Sequence, residues 1–109
     1  MKSCCSEPSE LFRAFADATR LRILSLLLAR GELCVCDLCE ELGEIQPKVS
    51  RHLAALRRAD LVTVRAEGKW KYYEICEPPS ALHASLLRCV KSCLADVDHP
   101  PRPRCAVRA

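Results

Sequence analysis

Val35-Cys36-Asp37-Leu38-Cys39-Glu40-Glu41-Leu42-Gly43-Glu44-Ile45-Gln46-Pro47-Lys48-Val49-Ser50-Arg51-His52-Leu53 is the stretch that decides the fold. Gly43 stops a short helix that begins at Val35, and Pro47 belongs in the first turn of a second helix running to about residue 59. A short helix, a brief turn and a longer basic helix are the order of a helix-turn-helix unit. Lys48, Arg51, Arg57 and Arg58 lie on the second helix with His52 among them, whereas Glu40, Glu41 and Glu44 precede it. The net charge of +3 therefore hides a local basic block suited to a nucleic-acid surface.

Upstream, Leu11, Phe12, Phe15 and Ala16 recur at helical spacing after Ser9, read as an N-cap. A second helix over 17–28 carries Leu21, Ile23, Leu24, Leu27 and Leu28, and Gly31 ends it. Downstream the period changes to two over 61–75. Val62 and Val64, then Trp70 and Tyr72, flank a Glu67-Gly68-Lys69 turn, so a β-hairpin is expected. Its Arg65, Lys69 and Lys71 make it the second backbone-gripping element of a winged helix. Pro78 and Pro79 separate it from a last helix over 80–97, whose Leu82, Leu86, Val90, Cys93 and Val97 form a stripe expected at a dimer seam.

The expected organisation is a flexible tail over 1–8, one winged helix-turn-helix domain over 9–97, and a Pro/Arg-rich disordered tail over 98–109. The fold class is mainly α with a β-hairpin wing. A chain of 109 residues buries a modest core, which makes a homodimer the expected state. The N-terminus lacks an apolar signal core and no stretch approaches the ~18 apolar residues of a membrane span, so a cytoplasmic protein with no membrane partner is expected.

Nine cysteines, an odd number without a secretion signal, point to free thiols and soft-ligand or redox chemistry rather than a disulfide scaffold. Only Cys34, Cys36 and Cys39 are densely clustered. Cys76, Cys89 and Cys93 are read as small buried hydrophobes, with Cys4 and Cys5 in one tail and Cys105 in the other.

The run Gly31-Glu32-Leu33-Cys34-Val35-Cys36-Asp37-Leu38-Cys39, then Gln46-Pro47-Lys48-Val49-Ser50-Arg51-His52-Leu53, then Glu67-Gly68-Lys69-Trp70 resembles the arsenical-resistance operon repressors of the ArsR/SmtB family. The likeness covers roughly residues 9–76. It implies a homodimeric winged helix-turn-helix repressor, not an enzyme, that binds an inverted-repeat operator in double-stranded DNA. It also implies release when trivalent arsenic or antimony, as inducer ligand, binds the thiols. A related branch that the chain also resembles, the cadmium- and lead-sensing repressors, implies instead a four-thiolate site of Cys4, Cys5, Cys34 and Cys36 shared between subunits.

The residues carry their own argument. Trivalent arsenic is soft and takes three thiolates in a pyramid, the ligand type and number that Cys34, Cys36 and Cys39 supply. At ~100° per residue Cys36 and Cys39 lie within about 60° of each other, whereas Cys34 and Cys36 lie about 160° apart. Cys34 must sit off the helix, or the helix must distort. Cys34 falls in the N-cap slot with Asp37 at N3, and the helix N-terminus is expected to lower thiol pKa. Gathering three sulfurs should then unwind the first turn of the helix against which the basic helix packs.

Two further thiol readings stand beside it. Cys89 and Cys93, one turn apart, can form a site with Cys105 or with Cys4 and Cys5. A redox regulator would use a disulfide between neighbouring cysteines and would reverse with reductant alone. Cys36-Asp37-Leu38-Cys39 has oxidoreductase spacing but lacks a preceding parallel strand, and His83 and His99 do not make a zinc pattern on the last helix.

For DNA, Gln46, Lys48, Ser50, Arg51 and His52 head the expected recognition helix, whose N-terminal residues reach base edges in this motif. Lys48, Arg57 and Arg58 suit phosphates. Ile45 stands where a polar cap would, so this helix starts without a side-chain acceptor.

Overall fold

A computed structural model describes residues 7–98 of the chain, with side chains through residue 93. The expected tails, with Cys4, Cys5, His99 and Cys105, lie outside the described residues apart from residues 7, 8 and 98.

Helices α1 (Pro8–Phe15) and α2 (Ala18–Arg30) lead into a two-residue strand β1 (Leu33–Cys34), followed by α3 (Val35–Leu42) and α4 (Gln46–Arg58). Strands β2 (Val62–Glu67) and β3 (Trp70–Ile75) form the hairpin, and α5 (Ala81–Asp98) follows. α1 starts on Pro8 with Glu7 at its cap, so Ser9 lies inside the helix rather than capping it. Proline at the first helical position has its φ already set and no N–H to satisfy, and it takes the start from Ser9. α2 starts one residue later than the expected 17–28, with Asp17 as its cap, the Asp17 side chain accepting from the Arg20 backbone N–H at 3.0 Å. That bond, the largest influence, holds the Asp17 carboxyl below its usual pKa.

The core lies between α2, α3, α4 and the base of the hairpin. Ile23, Leu24, Leu38, Val49, Leu53, Leu56 and Leu61 are completely buried in it. Leu53 ties the inner face of α4 to this cluster. Leu53→Ala is expected to cost about 2–5 kcal/mol. Urea unfolding of the full chain checks this; an unchanged midpoint would mean that α4 does not depend on the core.

α3 ends at Gly43, whose φ of 70° is left-handed. The Cys39 carbonyl accepts from both the Gly43 N–H at 2.8 Å and the Glu44 N–H at 3.2 Å. Cys39 therefore anchors the turn that delivers the chain into α4. The hairpin turns at Gly68, where φ is 63° and Glu67 pairs with Trp70. A two-residue loop with glycine in its first position suits the twist of the strands.

β1 is an element that period and propensity do not reveal. It pairs antiparallel with β3, Leu33 opposite Tyr73 and Cys34 opposite Tyr72, giving a sheet of order β1-β3-β2. On α5, Ser80 Oγ accepts from the His83 N–H at 3.2 Å. The inward line of α5 is His83, Leu87 and Val90, with Leu82 and Leu86 half-buried beside it. Cys89 and Cys93 are exposed, contrary to the expectation that they fill core. With 83, 87 and 90 facing inward at ~100° per residue, positions 89 and 93 fall on the flank. Cys76 is only half-buried, short of the core position expected of it, and donates to the Asp60 carbonyl at 2.9 Å.

Candidate functional site

Cys34 sits at a junction of two elements. It is the second residue of β1 and also the N-cap of α3, with extended backbone (φ −83°, ψ 165°) and no side-chain capping bond. Its thiol is buried, that of Cys39 half-buried and that of Cys36 exposed. Burial pushes the Cys39 thiol above its ordinary pKa, and the neighbouring Cys36 and Cys34 push it further the same way. Cys39 lies in the second turn of α3, away from the helix start, and desolvation sets the direction of its shift. The mutual influence also means that the three sulfurs share one neighbourhood. Among the described residues, however, no three His, Cys, Asp or Glu side chains are gathered closely enough to hold an ion. A three-sulfur site therefore requires the start of α3 to move, as the off-helix placement of Cys34 permits.

The exposed Cys36 opens into a cleft of about 380 Å³ whose lining includes Val35, Gln46, Ser50, Lys69, Trp70, Lys71 and Tyr73. One thiol thus shares a space with the head of α4 and the tip of the hairpin. A second cleft of about 350 Å³, lined by Ala54, Arg57, Arg58 and Tyr73, lies between the later part of α4 and β3.

Along α4, Gln46, Ser50, Arg51 and Arg57 are exposed, opposite the buried Val49, Leu53 and Leu56. Lys48 lies on the flank in an ion pair with Glu44 at 3.2 Å. His52 is drawn toward the body of the protein, its Nδ1 accepting from Arg20 Nη1 at 3.3 Å, with Asp17 3.8 Å away. α4 begins at Ile45 without a side-chain cap, as its sequence suggests. On the hairpin, Lys69 and Lys71 are exposed, but Arg65 is engaged. Arg65 donates to both carboxylate oxygens of Glu32 at 2.9 Å and to Glu67 at 2.8 Å. The hydrogen bonds from Arg65 hold the Glu32 carboxyl below its usual pKa.

Cys89 and Cys93 are close enough on α5 that a hydrogen bond involving Cys89 pushes the Cys93 thiol up. They are not brought together with the β1–α3 cysteines. His83 is buried, with Nδ1 2.6 Å from Ser80 Oγ and Nε2 3.0 Å from the Ala59 carbonyl. Two contacts escape a reading of the sequence, the β1–β3 pairing and the Glu32–Arg65 pair. The second joins positions 33 residues apart, and neither has a local signal.

Residues 17–64 match the family model for bacterial regulatory proteins of the arsR family. The chain is also 44% identical over 80 residues to the arsenic resistance transcriptional regulator ArsR2 of Pseudomonas putida, covering 72% of this chain and 70% of that one. The chain belongs to the ArsR family. It is similar, within that family, to the arsenical resistance operon repressor of Escherichia coli, 54% identical over 68 residues. That match covers 62% of this chain and 58% of the repressor, so this ArsR-family chain spans little more than half the length of that relative. Among solved structures, the homodimeric winged helix-turn-helix DNA-binding domain from Mycobacterium bovis superposes with a TM-score of 0.64. It is 33% identical, over 77% of this chain and 74% of that one. The fold of this ArsR-family chain is a winged helix-turn-helix: α3 and α4 are its helix-turn-helix pair, and the β2–β3 hairpin is its wing. Among the described residues no helix is long and apolar enough to cross a membrane.

Proposed function

We propose that the protein is a metalloid-responsive repressor that binds operator DNA as a homodimer and releases it when trivalent arsenic or antimony is gathered by Cys34, Cys36 and Cys39. The observation that carries this reading is the position of the thiols: three sulfurs straddle the start of α3, and one of them opens into the cleft shared by α4 and the wing. Its resemblance to repressors named for arsenical resistance supports the choice of inducer.

In the operator-bound form, Gln46, Ser50 and Arg51 enter the major groove on the exposed face of α4. Lys48 and Arg57 on α4, with Lys69 and Lys71 on the wing, neutralise phosphates. His52 contributes by fixing α4 to α2 through Arg20 and Asp17.

Release is an exchange of ligands with no change of oxidation state. Arsenous acid gives up three As–O bonds, three As–S bonds form, and each thiol proton leaves with a hydroxyl as water. The reaction drags Cys34 toward Cys36 and moves Cys39, whose carbonyl holds the turn into α4. Operator loss requires a coupling on the order of 1–3 kcal/mol, within reach of three soft ligand bonds.

The proton count separates arsenic from a divalent ion. Arsenous acid binding releases no net proton, whereas cadmium must displace the protons of the thiols that bind it. Arsenite release is expected to hold nearly constant between about pH 6.5 and 7.5, while cadmium affinity rises at least about tenfold. Fluorescence anisotropy of the full chain on a duplex selected from a random-sequence library reads both. No release by arsenite under reducing conditions, with release by peroxide that reductant reverses, would replace this reading with a redox switch.

A further inference from the structure

Arg65 on β2 stands opposite Tyr72 on β3, and Tyr72 stands opposite Cys34 on β1. Directly paired residues project from the same face of a sheet, so the three side chains form one row. Across that row the Arg65 guanidinium lies 4.9 Å from the centroid of the Tyr72 ring and makes its paired bonds to Glu32, two residues ahead of Cys34. The two-pronged geometry is the strong form of a guanidinium–carboxylate contact. With Glu67 on its other arm, the guanidinium faces two carboxylates. A phosphate would meet no surplus positive charge there.

We infer that Arg65 is a positioning residue that clamps the thiol-bearing loop to the wing, holding Cys34 in its operator-competent place, and is not a contact to DNA. The inference rests on the thiolate reading above for its inducer arm. β1 is only two residues long, so its backbone pairing is a small anchor and the side-chain clamp supplies the second attachment. Drawing Cys34 toward Cys36 shears the Cys34–Tyr72–Arg65 row. The wing is thereby displaced along with α4, giving the inducer a second route to the DNA surface.

A clamp present in the operator-bound form and broken in the inducer-bound form biases both equilibria. Glu32→Gln, which keeps the shape and removes the charge, is expected to weaken operator binding about two- to fivefold and to tighten arsenite binding by a similar factor. Arg65→Lys, which keeps the charge and loses the fork, is expected to behave the same way. The swap of Glu32→Arg with Arg65→Glu is expected to recover most of the wild-type behaviour. A phosphate contact predicts the opposite sign: Glu32→Gln frees Arg65, removes a carboxylate near the DNA and tightens operator binding. Operator titrations of the full-length variants without arsenite decide the clamp independently of the inducer. Unchanged or tighter operator binding by Glu32→Gln overturns it, whereas failure of the wild type to release with arsenite overturns the thiolate reading instead.

Discussion

Cys34→Ser and Cys36→Ser are each expected to abolish arsenite-driven release while leaving operator affinity close to that of the parent. Serine is nearly the size of cysteine, and neither thiol makes a capping or structural bond at the start of α3, so the fold and the DNA surface persist. What disappears is one soft ligand of three. Losing it removes more than the coupling of about 3 kcal/mol that drives release, so the arsenite needed for half-release rises at least about a hundredfold. Cys34 matters most because it alone lies both in the sheet and at the helix start. Wild-type release by both the Cys34 and Cys36 variants would move the inducer site away from α3, to the exposed Cys89 and Cys93 or to thiols outside the described residues.

Arg51→Ala carries the largest expected effect on DNA itself. The residue is exposed on the outward side of α4, opposite Leu53 and Leu56, and points where a major-groove helix reads bases. A guanidinium forked onto a guanine is worth about 1–3 kcal/mol, so operator affinity should fall about five- to hundredfold. Arsenite affinity should be unchanged, because Arg51 does not touch the β1–α3 junction. Equal operator affinity would take Arg51 off the contact surface.

Much of this architecture was legible because local chemistry and tertiary structure agree. Gly43 takes the left-handed conformation that ends α3, Pro47 falls in the first turn of α4, and Gly68 turns the hairpin. The 100° step leaves Cys34 either off the helix or distorting it if its sulfur is to share an atom with Cys36, and the structure places it at the N-cap. Other features depend on partners distant in sequence. A two-residue strand has no period to detect, so β1 and the attachment of Cys34 to the wing were invisible. Arg65 is grouped with the DNA contacts because charge on a hairpin names no partner, whereas the structure pairs it with Glu32, 33 residues away. His52 was grouped with the groove-reading residues, yet the Arg20 side chain turns it toward α2. Within the single chain the inward line of α5 runs through His83, Leu87 and Val90, a line that the stripe Leu82, Leu86, Val90 and Cys93 shares only at Val90, and both α5 thiols lie off it.

The mechanical claim is that a soft atom bound to the β1–α3 thiols remodels that junction and, through it, α4 and the wing. Amide hydrogen exchange of the full chain with and without arsenite tests it most directly. Faster exchange is predicted at the backbone N–H groups of β1, the first turn of α3 and the Gly43–Glu44 turn, with α5 unchanged. Exchange altered only along α5, with residues 33–44 as protected as before, would contradict it.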